Sequence, residues 1–403
     1  MMIMMDVHPF LKESQERGFL YQSSDLEGLS QTLSESKKSY AYVGFDATAK
    51  SLQVGNLVPI LWARLLQKHG ITPIILLGGA TTLIGDPTGK DESRKVLTIE
   101  EVDENLKNFK RLMSRFINFD NAILVNNKDW LKDLNYMSFL RDFAPHFSVN
   151  YMMSLDSVKL RLSRHHHMSF LEFNYMIFQA YDFWHLFKTY GCMLQMGGSD
   201  QWANMICGAE LIRRLEQKRA FVITAPLMTT NGGQKMGKTA GGAIWLDEQM
   251  TSPYDYWQFW RNTHDDDVEK CLQIFTDLPS CDIKSVCAHK KGCDINELKI
   301  LLADHATTMC HGANVLKDIH QKIASFFDSA IDQIERINVP DGLCLDDLLI
   351  ELKACSSKGE AKRLVQGSGV FIDKVTQDNP KRIIHIKDKP QKLSVGKKKH
   401  FWI

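Results

Sequence analysis

The stretch that decides the fold runs from Tyr40 to Ala80: YAYVGFDATAKSLQVGNLVPILWARLLQKHGITPIILLGGA. Tyr40 to Thr48 is a short apolar run closing on polar turn residues, the pattern of a buried strand. From Asn56 the apolar residues fall at helical spacing, Pro59 stands early in the run, and Gly70 is placed to stop a helix. Ile71 to Ala80 reads as a second strand. Strand, helix and strand in this order form a βαβ unit, which predicts a parallel sheet with its ligand at the carboxyl ends of the strands.

Working outward, 403 residues are too many for one ordinary domain and predict two or three. Ser169 to Phe187, SFLEFNYMIFQAYDFWHLF, reads as a second long helix, and Met193 to Met205 as a strand running into a glycine-rich turn. Beyond Thr251 the pattern is helical to about Val339, and a turn at Val339 to Gly342 leads into a basic tail. From Glu351 to Ile403 there are 13 Lys/Arg against 5 Asp/Glu, a net +8 inside a chain whose total is only +1. Such segregation predicts an anion-binding module with nucleic acid as its partner. Apolar alternation in GVFID and RIIHI predicts that this module folds.

Hydrophobic residues make up 44% and charged residues 24%, as in globular proteins. No apolar run approaches the roughly 18 residues of a membrane span, and the start, MMIMMDVHPF, lacks the basic region of a secretory signal. Nine cysteines with no CxxC pair read as free thiols of a reducing compartment, so a cytoplasmic location with no membrane partner is expected. Cys281, Cys287 and Cys293 recur every six residues without partners at zinc spacing, and the adjacent His165 to His167 splay apart in any regular backbone. No metal site is predicted from either.

Gly232 to Thr239, GGQKMGKT, satisfies the phosphate-loop pattern G-x-x-x-x-G-K-[ST]. A true phosphate loop begins a helix at its lysine, and Gly241 and Gly242 cost such a helix about 1 kcal/mol each. Lys235 and Lys238 are therefore expected as cations on a glycine-rich loop. Tyr175, Gln179 and Asp182 lie at i, i+4 and i+7, a polar stripe between apolar flanks. That donor, amide and carboxylate suit a small zwitterionic ligand. Gly55 and Asn56, between the first strand and its helix, favour a phosphate near the helix start. Asp86 repels phosphate and suits an ammonium group.

GFDAT, LQVGN, GGATTLIGDPTGK, EFNYMIFQAYDF, QMGGSDQW and KMGKT, in this order and spacing, resemble bacterial-type tyrosyl-tRNA synthetases essentially end to end. The resemblance implies an α/β fold: a Rossmann-like nucleotide-binding catalytic domain with a parallel sheet at 1–248, including a connective, dimer-forming segment at about 118–170 and a KMSKS-type loop at 232–242. An α-helical anticodon-side domain at 249–338 and a small α+β RNA-binding module at 342–403 would follow. It implies that Tyr42 and Asp182 hold a substrate phenol. Asp86, Tyr175 and Gln179 would hold its ammonium group, with Thr81, Asn126 and Gln201 nearby. Thr48, Gln53 and Asn56 would face the phosphates of ATP, joined by Lys235, Lys238 and Thr239, with Asp46, Gly55 and Asp200 on the nucleotide side. L-tyrosine, ATP with Mg2+ and a tyrosine tRNA are the implied substrates, a homodimer the implied assembly, and no bound organic cofactor is expected.

The chain departs from the family pattern where Gln53 and Asn56 stand at positions that commonly carry His, and where Ala47 stands at a common Pro. Amides still donate to a phosphate oxygen. Two other functions fit parts of the sequence. A tryptophan enzyme is disfavoured by Asp182 opposite Tyr42, and an RNA-binding protein with a decayed site is disfavoured by the intact stripe and lysine loop.

Overall fold

The computed structural model describes residues 7–86, 97–163, 168–229, 236–239, 242–289, 295–332, 337, 339–373, 375–386, 391–396 and 399–403. The chain divides into two compact units, Met1–Leu316 and Lys317–Ile403. The first is organised by β1 (Tyr40–Phe45), α1 (Leu57–Lys68), β2 (Thr72–Leu77), α2 (Ile99–Met113), β3 (Ile123–Asn126), α3 (Phe170–Tyr190), β4 (Leu194–Gly198), α4 (Trp202–Glu216) and β5 (Phe221–Ala225). These strands form one parallel sheet in the order β5-β4-β1-β2-β3, and a short strand, Gln22–Ser23, pairs antiparallel with β5 at the edge. The βαβ unit expected from Tyr40–Ala80 is present, with Tyr42 in register with Ile74 on one side and Gln195 on the other.

From β1 the chain winds outward through β2 and β3, then returns to place β4 on the opposite side of β1. The carboxyl ends of β1 and β4 therefore open a crevice at the point where strand order reverses, the place where such sheets bind ligands. The helix lining that crevice is fixed at both ends by its own sequence. Ser169 and Glu172 form a reciprocal capping box at the start of α3, and Gly191, at φ +71°, closes its end in the left-handed conformation that glycine adopts without strain.

Beyond the sheet, helices Pro253–Arg261, Val268–Phe275, Ser280–His289 and Ile295–His311 complete the first unit. Arg17, only 8% exposed, donates from its guanidinium to the carbonyls of Gln273, Thr276 and Leu278 at 3.0–3.1 Å. It thereby satisfies two carbonyls at the end of the helix Val268–Phe275, those of Gln273 and Thr276, and one just beyond it. The second unit is built on its own apolar core, which includes Leu345, Leu348, Leu349, Val365, Val370 and Leu393. Helices Leu345–Glu351 and Lys358–Gln366 lie in sequence ahead of a four-stranded antiparallel sheet formed from Val370–Ile372, Val375–Thr376, Lys392–Val395 and Lys399–Trp402. Among the described residues no helix is long and apolar enough to cross a membrane.

Candidate active site

Tyr175, Gln179 and Asp182 all reach the crevice from α3 and line a cavity of about 680 Å³, with Tyr42 and Gln195 from neighbouring strands. Asp182 is 2% exposed. Its Oδ2 accepts from Asn127 Nδ2 at 2.9 Å and its Oδ1 from Trp130 Nε1 at 2.8 Å. Asn127 also donates to Thr81 Oγ1. The carboxylate is thus held rigidly while each oxygen keeps a second lone pair. Next to it in the lining, the Tyr42 hydroxyl, Gln195 Oε1 and Gln179 Oε1 are buried without a hydrogen-bond partner among the described residues. Each such orphan costs about 1–3 kcal/mol, a cost that a ligand's own hydroxyl and ammonium groups would offset. The pair of Tyr42 and Asp182 can use both the lone pair and the proton of a single phenol.

Burial pushes the Asp182 carboxyl up to about 7, with the donors Asn127 and Trp130 holding it down and the charge of Asp46 adding to the rise. Burial, then the charges of Asp182 and Cys192, pushes the Tyr42 phenol well above its usual range, so Tyr42 stays a neutral donor. The folded value of Asp182 lies above the unfolded one, so its contribution to stability is present at low pH and is lost as pH rises through about 7. Only the ionised carboxylate accepts freely from a phenol. The efficiency kcat/KM for a phenolic substrate is therefore expected to rise about tenfold per pH unit below this value and to flatten above it, since that parameter reports groups of the free enzyme. A profile of kcat/KM between about pH 5.5 and 8.5 checks this, and a flat line across the range would contradict it.

A second acidic cluster lies at the other end of the stripe. Gln201 Nε2 donates to Asp86 Oδ2 at 2.8 Å, Tyr175 donates its hydroxyl to Asp46 Oδ2 at 2.9 Å, and Thr81 Oγ1 donates to Asp46 Oδ1 at 2.8 Å. Gly78 makes this approach possible: a β-carbon there would collide with Asp46 Oδ1 and with Thr81 Oγ1. Two carboxylates with a phenol oxygen and amides suit an ammonium group. Asn126 does not line the cavity: its amide oxygen accepts from the backbone N–H groups of Gly79 and Lys128. Its neighbour Asn127 is the one bonded to Asp182.

Asp46, Thr48, Gln53, Gly55, Asn56, Asp200 and Gln201 line the same cavity. Val54–Asn56 forms a single tight turn leading into α1, with the Gln53 N–H donating to Asn56 Oδ1 at 2.8 Å. Lys238–Thr239 pairs antiparallel with Gly242–Ala243. The segment is a hairpin where a phosphate loop would begin a helix, which removes the phosphate-loop reading. Met236 lines the cavity and its carbonyl lies where a β-carbon on Gly55 would be 3.4 Å away. Lys235 and His165 to His167 lie outside the described residues, as do the side chains of Lys238 and Thr239.

Sequence reasoning missed Asn127, Trp130 and Gln195. Gln195 carried a signal, being one polar residue in the apolar run of a strand buried on both faces. Asn127 and Trp130 carried none, because their role depends on β3 ending one residue earlier and on α3 folding across it.

A parallel sheet with its cavity at the switch point, an acidic cluster at one end of it and an amide-lined turn next to the Lys238 hairpin is the construction of a class I nucleotide-dependent synthetase. The family model described as "tRNA synthetases class I (W and Y)" matches residues 34–328, and the chain belongs to that family. The chain is 47% identical over 408 residues to the tyrosine–tRNA ligase of Pelagibacter ubique, covering 98% of each, and 46% identical over 398 residues to that of Zymomonas mobilis, covering 97% of each. Among solved structures, a C-terminally truncated mitochondrial tyrosyl-tRNA synthetase of Aspergillus nidulans superposes with a TM-score of 0.71 at 28% identity, over 79% of this chain and 94% of that one.

Proposed function

We infer that the protein is a tyrosine–tRNA ligase, and the observation that carries this is Asp182, buried and fixed by two donors, beside the hydroxyl of Tyr42, which has no hydrogen-bond partner among the described residues. It activates L-tyrosine with ATP and transfers it to tRNA. Tyr42 and Asp182 hold the phenol, with Gln195 beside them. Asp86, Tyr175 and Gln179 hold the ammonium group, supported by Thr81 and Gln201, while Asn126 acts by holding the backbone at Gly79 and Lys128. Asp46 and Asp200 serve the nucleotide side. The tyrosine carboxylate attacks the α-phosphorus, the bond to the β-phosphate breaks, and pyrophosphate leaves. The terminal adenosine hydroxyl of the tRNA then attacks the acyl carbonyl and AMP leaves. No side-chain nucleophile takes part. Thr48, Gln53 and Asn56, with Lys235, Lys238 and Thr239, stabilise charge spread over the phosphoryl oxygens. Mg2+ would enter with the phosphates of ATP as part of the substrate.

The surface supports a reading of the assembly. Tyr136, Met137, Val149, Tyr151 and Phe170 are large apolar side chains left exposed within or at the end of the segment 118–170, with Met137 and Phe170 each 71% exposed. Exposed apolar residues so concentrated mark an interaction face, and a second copy of this chain is the proposed occupant, giving a cytoplasmic homodimer. Residues 1–248 form the catalytic domain, 249–338 the helical anticodon-side domain and 342–403 the RNA-binding module.

Charging of tRNA tests the last assignment. The intact chain, given ATP, tyrosine and tRNA, is expected to leave tyrosine esterified to the tRNA. A chain ending near Asp341 is expected to form adenylate at close to the full rate, yet to bind tRNA more weakly and charge it poorly. Each RNA phosphate that the missing tail no longer neutralises flattens the salt dependence of binding by roughly 0.7–0.9 in slope. Equal charging by both chains, with an unchanged salt slope, would remove the tail from the RNA-binding surface.

A further inference from the structure

Arg115 stands two residues past the end of α2 and reaches two distant parts of the chain, 246–248 and Cys310, with one guanidinium. Nη1 donates to the carbonyls of Leu246 at 3.2 Å and Cys310 at 3.1 Å, and Nη2 donates to Glu248 Oε2 at 2.6 Å. One turn earlier, Arg111 Nη2 pairs with Asp247 Oδ2 at 2.6 Å, and Asn108 donates to Asp247 Oδ2 at 3.1 Å and to the Lys50 carbonyl at 2.7 Å. Residues 246–248 are therefore gripped from α2.

The gripped stretch leads directly to the reacting end of the cavity. Leu246 N–H donates to the Leu52 carbonyl at 2.9 Å, Val54 N–H to the Ile244 carbonyl at 3.0 Å, and Gln53 bridges Trp245. Ile244 N–H donates to the Gly237 carbonyl at 2.9 Å, and the next residue, Lys238, opens the hairpin. An unbroken path of main-chain bonds thus joins the acceptor of Arg115 to both the Gln53–Asn56 turn and the lysine hairpin. Arg115 itself does not line the cavity. Its ion pair with Glu248 contributes little to global stability, because Glu248 is about half exposed. Its planar fork is what three acceptors in different directions require, and a lysine cannot serve them together.

We propose that Arg115 is a positioning residue for tyrosine activation, holding Ile244–Leu246 against Leu52–Val54 so that the hairpin carrying Lys238 stands in register with Gln53 and Asn56. This rests on the reading of Lys238 as a group that stabilises the transition state.

The test is a double-mutant cycle on adenylate formation with tyrosine, comparing the intact enzyme with Arg115→Ala, Lys238→Ala and the pair. Arg115→Ala is expected to slow the step by up to about 100-fold, the cost of misplacing a catalytic group by about 1 Å. The tyrosine KM should stay within about twofold, because the tyrosine-binding side chains are untouched. In the Lys238→Ala background the same change should cost no more than about threefold, since its target is already gone. Arg115→Lys should fall between, and Lys107→Ala on the exposed side of α2 should behave as the intact enzyme. Equal losses in both backgrounds, a parallel rise in tyrosine KM, or no effect of Arg115→Ala would each overturn the proposal. Glu248→Gln, which removes one charged bond and keeps the shape, runs through the same cycle if Arg115→Ala does not fold. An inert Lys238→Ala would defeat the reading of the hairpin itself, an outcome distinct from additive losses.

Discussion

Replacing Asp182 by alanine is expected to cut kcat/KM for tyrosine by about 10- to 100-fold while leaving activation of phenylalanine far less affected. A hydrogen bond to a charged group contributes about 1.5–3 kcal/mol, and the upper end of that range is about 100-fold. The selectivity is the more informative half. A site built to pair a hydroxyl rejects the analogue lacking it by about 10⁵-fold, a figure measured for an enzyme of this same specificity and not worked out from this pocket. With Asp182 gone that ratio should fall by about the factor that tyrosine loses. The variant also leaves Asn127 Nδ2 and Trp130 Nε1 without the carboxylate that now accepts from both. Its melting temperature must therefore be measured alongside. A loss equal for tyrosine and phenylalanine would mean that Asp182 only supports the fold.

The second large effect belongs to the hairpin. Lys238→Ala should lower the rate of adenylate formation by about 10²–10³-fold, as expected for one donor aimed at charge that develops in the transition state. Tyrosine affinity should be nearly unchanged, because an interaction made only in the transition state appears in kcat and not in ground-state binding. Equilibrium binding of tyrosine and single-turnover adenylate formation, on one preparation, separate the two. A matching loss of tyrosine affinity would place Lys238 in the structure of the pocket and not in the chemistry.

Much of this site was legible in the chain's sequence, and the parts that were share a cause. Tyr175, Gln179 and Asp182 follow from helix geometry alone, because residues at i, i+4 and i+7 share a face wherever the helix packs. The β1-α1-β2 unit is equally local: Asn56 and Gly70 bound the helix in sequence as they do in space. The lysine hairpin was legible as a refusal, since adjacent glycines exclude the helix a phosphate loop needs. Long-range pairings left no such mark. Asn127 reaches Asp182 across 55 positions, and Arg115 reaches Cys310 across 195. A one-residue difference in where β3 ends decides whether Asn126 or Asn127 reaches Asp182, and strand ends are what periodicity fixes least. Gln53 and Asn56 stand between these cases. Their place beside the cavity was readable, whereas their mutual bond depends on the turn before α1.

Amino-acid-dependent exchange of pyrophosphate into ATP, run with each of the twenty amino acids on the intact protein, tests the central claim most directly. The account predicts exchange with tyrosine, at most a trace with phenylalanine, and none above background with tryptophan. Exchange with tryptophan in place of tyrosine, equal exchange with tyrosine and phenylalanine, or no exchange with any amino acid would contradict it.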